Sequence, residues 1–227
     1  MTKYTCRADS TYIRLCRLAA FLLAAALPQS INYASAAYMV LGGNDPQNDE
    51  NVLNGNGQAG STIQAALNQT GDIVTFTSPS QTLQAPANGQ ARVEAVNANQ
   101  QVDINDAITV AFLNTNLRFK TLIFNATDGT GSLTLNITGF NPDNSPANAS
   151  ISLTTGNNPL SLSNGSNFYS LIATGGMVMA SVEIDTNANT AYTDLRQVRV
   201  GGVVPEPGAA LLASVAMAAV AVKRRRG

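Results

Sequence analysis

Between residues 37 and 203 the chain is built from short alternations of apolar and polar residues, interrupted by Asn, Gly, Asp, Ser and Pro. A period of two sends successive side chains to opposite faces, which suits β-strands and not helices. The run 132–138 shows it most cleanly. Leu133, Leu135 and Ile137 share one face, while Ser132, Thr134, Asn136 and Thr138 share the other, the pattern of a half-buried strand. The same reading predicts strands at 73–77, 90–96, 108–113, 119–124, 149–154, 168–173, 177–184 and 195–200. Turn signals separate them, among them Asp128-Gly129, Asn141-Pro142 and Asn164-Gly165. Only 63–67 offers a helical period, and a weak one. Residues 40–68 are looser and polar, with the run 44–51 and the Gly55-Asn56-Gly57 sequence, and read as a loop or a long edge segment. The expectation is an all-β chain, an antiparallel two-sheet β-sandwich of jelly-roll-like kind with about nine or ten strands. A β-solenoid would need a fixed repeat period, and none is found.

Charge narrows the function classes. Residues 37–203 hold five cations (Arg92, Arg118, Lys120, Arg196, Arg199) against twelve acids, a net charge of about −7. Such a balance argues against partners that are read through phosphate contacts, so no nucleic acid is expected. Thr and Asn, rather than Lys and Glu, supply the polar strand faces. The sequence has no His and no Trp, and its two cysteines, Cys6 and Cys16, fall near the N-terminus. Nucleophilic triads built on His or Cys are therefore excluded, and a Ser–Lys dyad has only Lys120 within this region. Lys120 alternates with Arg118 on what reads as the polar side of a strand. A glycosidase needs two carboxylates at a set separation. Glu94 and Glu183 are the glutamates within predicted strands, but Arg92 shares a face with Glu94, which reads as a solvent-side ion pair. The chain is not expected to be an enzyme.

The N-terminal 36 residues read as a secretory signal peptide. Basic residues (Lys3, Arg7, Arg14, Arg17) precede a ten-residue apolar core, 18–27, which Pro28 closes; the small residues Ala34-Ser35-Ala36 follow, predicting cleavage after Ala36 or Ala37. As a helix that core reaches about 15 Å, half of a hydrocarbon layer. Arg14 and Leu15 before Cys16 speak against a lipoprotein signal. Cleavage would leave the exported chain without a thiol, hence without a disulfide.

The C-terminus carries the complementary pattern. Val204-Pro205-Glu206-Pro207 is followed by fifteen uncharged residues, 208–222, and then by Lys223, Arg224, Arg225 and Arg226. Fifteen helical residues give about 22 Å, a short transmembrane span that needs snorkelling cations or a thinned bilayer. The basic stop stays in the cytoplasm by the positive-inside rule, which puts 37–203 outside.

Motif, apolar span and basic stop, in that order and behind a signal peptide, resemble the PEP-CTERM sorting signal of Gram-negative bacteria. The resemblance implies three regions: signal peptide 1–36, passenger domain 37–203 and sorting signal 204–227. It implies processing by signal peptidase and an exosortase-type membrane protease, cleavage near Pro205–Pro207, anchoring in the inner membrane beforehand, and delivery to the cell surface or matrix. Association with exopolysaccharide and biofilm is also implied. Residues 68–71, 74–78, 87–95, 164–168, 173–176 and 194–200 look like the passenger of a set of such proteins, and that likeness carries no activity.

Two ligand classes have candidate residues. Asp185, Asn187 and Asn189 place oxygens at the first, third and fifth positions of an EF-hand-like calcium loop, with Asp194 nearby. Thr190 and Arg196 stand where that loop needs Gly and a bidentate Glu, so the same residues also read as turn formers. Asp45, Asp49, Glu50 and Asn51 form a second oxygen-rich group without that spacing. No other cofactor is implied. Carbohydrate binding would call for an exposed aromatic platform. Phe168 and Tyr169 point to opposite strand faces, so at most one is exposed, with Phe168 expected in the core. Asn-x-Ser/Thr sequons at Asn68, Asn125, Asn136, Asn148 and Asn164 follow from composition alone.

Overall fold

All nine alternating runs form strands, most of them shifted by one or two residues at the ends. The computed structural model describes residues 38–44, 49–55, 57–98, 100–153, 162–187 and 190–206. The signal segment 1–36, Pro207, the span 208–222 and the basic stop 223–226 lie outside them.

In chain order the strands are β1 (Tyr38–Gly42), β2 (Glu50–Asn54), β3 (Ala59–Gly60), β4 (Thr62–Leu67), β5 (Ile73–Thr77) and β6 (Thr82–Gln84). Next come β7 (Gly89–Gln90), β8 (Arg92–Asn97), β9 (Gln100–Val102), β10 (Ile108–Phe112), β11 (Leu117–Arg118) and β12 (Thr121–Thr127). The last are β13 (Leu133–Phe140), β14 (Ala149–Ser152), β15 (Ser166–Ala173), β16 (Val178–Thr186), β17 (Asp194–Gly201) and β18 (Val204–Pro205). Among the described residues there is no helix. The segment 63–67 lies in β4, where Ile63, Ala65 and Leu67 are buried and Thr62 and Gln64 are exposed. Its alanines fit either period, and pairing with β2 and β5 decides for the strand. Residues 40–68 likewise hold four strands rather than a loop, since their few apolar residues are completed by neighbours distant in sequence.

Every strand pairing is antiparallel, and the main path runs β1-β15-β12-β17-β2-β4-β5-β10-β16-β13-β14 as one nearly closed, barrel-like sheet. Strand β2 carries it round the corner. Its Glu50 and Asn51 pair with β17, whereas Val52, Leu53 and Asn54 pair with β4. Closure at the far end comes from Tyr38 at the start of β1, whose hydroxyl donates to the Ala147 carbonyl beside β14 at 2.7 Å. The inward positions form one continuous apolar core, centred on Phe76, Phe124, Leu135, Tyr169, Val182 and Leu195. Burying it supplies the main stabilisation of a unit whose described residues contain no cysteine.

The alternation is broken at one residue of β17 and along β12. Gln197 has a positive φ of 52° and forms a bulge in β17, where two residues face Phe124 alone. The extra residue lets Arg196 and Arg199 both face outward while Leu195, Val198 and Val200 stay in the core. Strand β12 is buried on both faces, because polar side chains from neighbouring strands cover its outward Thr121, Asn125 and Thr127.

Candidate functional site

The end of the domain is held against it. After β17 ends at Gly201, the chain turns and Val204-Pro205 pairs as β18 with β11, Leu117 facing Pro205 and Arg118 facing Val204. The Glu206 amide donates to the Asn116 carbonyl at 2.7 Å. The Glu206 carboxylate forms an ion pair with Arg118. Arg118 was expected on a polar strand face with Lys120. The structure corrects this: Lys120 is exposed, whereas the Arg118 side chain is only 8% exposed. The chain leaves its strand at Phe119 to bridge Met179, which turns Arg118 inward. There its guanidinium donates to the Leu117 carbonyl at 3.0 Å and to that of Thr115, and lies 5.0 Å from the centre of the Phe140 ring. Arg118 is the functional candidate that sequence reasoning missed. No local signal marked it, since Lys120 shares its alternation and differs in being exposed.

A second feature lies on the outward face of β4, β5, β10, β16, β13 and β14. The strand register aligns Thr62, Thr77, Thr109, Glu183, Asn136 and Ser150 in one row across six strands. Asn136 donates to Glu183 at 2.8 Å and accepts from the Ser150 hydroxyl at 2.7 Å, and the Thr62 and Thr77 hydroxyls lie 3.0 Å apart. A neighbouring row contributes Thr138 and Ser181. Thr109, Glu183, Asn136 and Ser150 of the first row line, with Thr138 and Ser181, an open groove of about 460 Å³ that holds one carboxylate, Glu183, and no aromatic ring. Neutral hydroxyls and amides in register can exchange hydrogen bonds with a polyhydroxylated ligand, but offer no nucleophile activated by a base.

Of the calcium candidates, Asp185 lies in β16 and Asp194 in β17. Asp194 is fully buried, accepting from Arg92 at 2.9 Å, from Arg196 at 2.5 Å and from the Thr127 hydroxyl. The Asp194 hydrogen bond raises the Arg196 pKa. Asp185 lies within β16 opposite Thr134. Its carboxyl is raised above the ordinary value, first by burial and then by Glu183 and Asp106. Asn187 donates to the Ser132 carbonyl at 3.2 Å, and Asn189 lies outside the described residues. Among the described residues no group of three or more acidic or thiol side chains is placed to hold a metal ion. In the second oxygen-rich group Glu50 accepts from the Gln69 and Thr70 amides at 2.9 Å each, and Asp49 accepts from Thr121 at 2.5 Å, while Asp45 lies outside the described residues.

Other expectations are sharpened. Arg92 and Glu94 do pair, at 2.5 Å, but Glu94 is only 6% exposed, so this is a half-buried network with Asp194 rather than a solvent-side pair. Phe168 and Tyr169 do face opposite ways, with the assignment reversed: Tyr169 is buried against Phe124 at 5.2 Å and Phe168 is half-buried on the outer face. The bulge-free β15 register, which sets Phe168 beside Asn125, decides this. Asn125 itself is buried, so that sequon is closed to modification. No protein-family model, no curated protein and no solved structure matches the chain.

Proposed function

We propose that this chain is an exported, non-enzymatic component of the cell surface or extracellular matrix, delivered by a C-terminal PEP-CTERM signal. The observation that carries the reading is the placement of the motif. The last core strand ends at Gly201, and Val204-Pro205-Glu206 follows at once, leading into the apolar span and the basic stop. A sorting tail belongs at such a boundary, where the last long core strand has ended. On this reading signal peptidase removes residues 1–36, the apolar span 208–222 holds the chain in the inner membrane, and an exosortase-type protease releases it. Deleting Pro205–Pro207 while keeping the span should strand the protein in the inner membrane fraction. Normal surface levels of that variant would refute the processing step.

For the domain itself we propose a two-sheet, jelly-roll-like sandwich. One layer would be β1, β15, β12, β17, β8 and β6, the other β4, β5, β10, β16, β13 and β14, with β2 crossing between them. The split pairing of β2 supports this arrangement.

A second reading, a module that binds neutral exopolysaccharide, is favoured by the ordered hydroxyl and amide rows around Asn136 and Thr109. Retention of the exported protein on purified polysaccharide, with and without calcium, tests it. Passage through the column in both conditions would remove that reading and leave the first intact.

A further inference from the structure

We propose that the domain sequesters its own sorting motif, so that detachment of residues 204–206 from β11 precedes and limits processing. This rests on the sorting-tail reading above and adds a controlling step to it. Three independent contacts hold the segment: the two-residue ladder of β18 with β11, the bond from the Glu206 amide to the Asn116 carbonyl at 2.7 Å, and the Arg118–Glu206 ion pair.

The ion pair is not an incidental surface contact. Arg118 is 8% exposed on its side chain and Glu206 31%, and the Phe140 ring holds the guanidinium from one side. Among the described residues Glu206 is the acid paired with Arg118, whose buried Nε has no hydrogen-bond partner there. A charge-assisted bond with so little water access is stronger than an exposed pair.

A protease that reads Val204-Pro205-Glu206 through its backbone and its glutamate needs both free of β11. Here the backbone already pairs with a strand, and the half-exposed glutamate is engaged by Arg118. The two uses of Glu206 exclude one another. The apparent affinity of the protease for the chain therefore falls by the fraction of chains in which the segment is detached. Only Gly202 and Val203 separate β17 from β18, so the motif cannot slide clear without losing these contacts.

The test leaves the motif unchanged and loosens its receptor. Full-length Arg118→Met and Phe140→Leu variants are compared with the parent chain in an exporting host by pulse-chase of the membrane-anchored form. Hydrogen exchange of the same full-length chains in detergent reads the Glu206 amide and, as a folding control, amides of β13 and β16. The expected result is that Arg118→Met speeds Glu206 exchange and processing together by about tenfold, the effect of losing one charge-assisted bond. Phe140→Leu should act in the same direction and less strongly. Faster Glu206 exchange with unchanged or slower processing overturns the proposal, as does a Glu206 amide unprotected in the parent chain. If Arg118→Met loses protection in β13 and β16, Phe140→Leu decides by the same criteria. A parent chain that is never processed, alongside a protected Glu206 amide, would instead refute the sorting reading, and with it the control step.

Discussion

At the scale of single residues, the buried carboxylates matter most. Asp194 faces two arginines and a threonine while fully buried. Replacing it with Ala leaves Arg196 without its paired acid and Arg92 with Glu94 alone. Because these arginines are 37% and 40% exposed, water screens part of the loss. We expect a destabilisation of about 2–3 kcal/mol, read from urea unfolding midpoints. Asp185 and Asp106 should respond to pH with opposite signs. The Asp185 carboxyl is raised by burial and by Glu183 and Asp106, so the folded chain holds its proton more tightly than the unfolded chain. Its ionisation therefore costs stability as pH rises through the carboxylate range, and Asp185→Asn should raise Tm at pH 7 with the gain vanishing below about pH 4. The Asp106 carboxyl feels burial first, which raises it, but donors from Ser80, Ala107 and Ser78 outweigh this and lower it overall. Its contribution is present above the ordinary carboxylate value and lost as pH falls through the lowered one. Asp106→Asn should therefore lower Tm at pH 7, and the difference from the parent chain should shrink in acid. None of these roles was legible in the sequence. Asp185 matched a loop by spacing and Asp194 was merely near it, and what distinguishes them is the company they keep across strands.

At the scale of elements, closure of the sheet depends on Tyr38 and Gly139. A Cβ on Gly139 would lie 1.7 Å from the Tyr38 hydroxyl, so β1 and β13 can approach only with glycine there. Gly139→Ala should cost about 2 kcal/mol by displacing the tyrosine, and Tyr38→Phe about 1 kcal/mol through loss of the bond to Ala147. The double variant should cost less than the sum of the two, because removing the hydroxyl relieves the closest of the contacts and leaves the ring carbon at 2.8 Å; additive costs in thermal unfolding would reject this account. The longer strands were legible because their apolar residues alternate over five or more positions, as in β5, β10 and β13. Strands β2, β4 and β18 were not. Glu50–Asn54 has two apolar residues and Val204–Pro205 one partner strand, so each owes its conformation to a neighbour.

At the scale of the whole molecule, the proposed processing predicts the chemical ends of the exported form. Mass spectrometry of surface protein should find a new N-terminus at Ala37 or Tyr38 and a C-terminus within 205–207. Intact mass retaining the basic stop would contradict the release step. The alternation, the turn residues and the sparse charge determined by themselves that 37–203 is β-structure, since period and turn chemistry are local properties of the chain. The order of motif, apolar run and basic cluster is likewise written in the sequence. Only the tertiary structure decided that Arg118 turns inward to meet Glu206, that Tyr169 rather than Phe168 joins the core, and that six polar residues line up across six strands. Each of these depends on strand register and on contacts between residues far apart in the chain. Local period sets which face a side chain takes, while pairing across the sheet sets what it meets there.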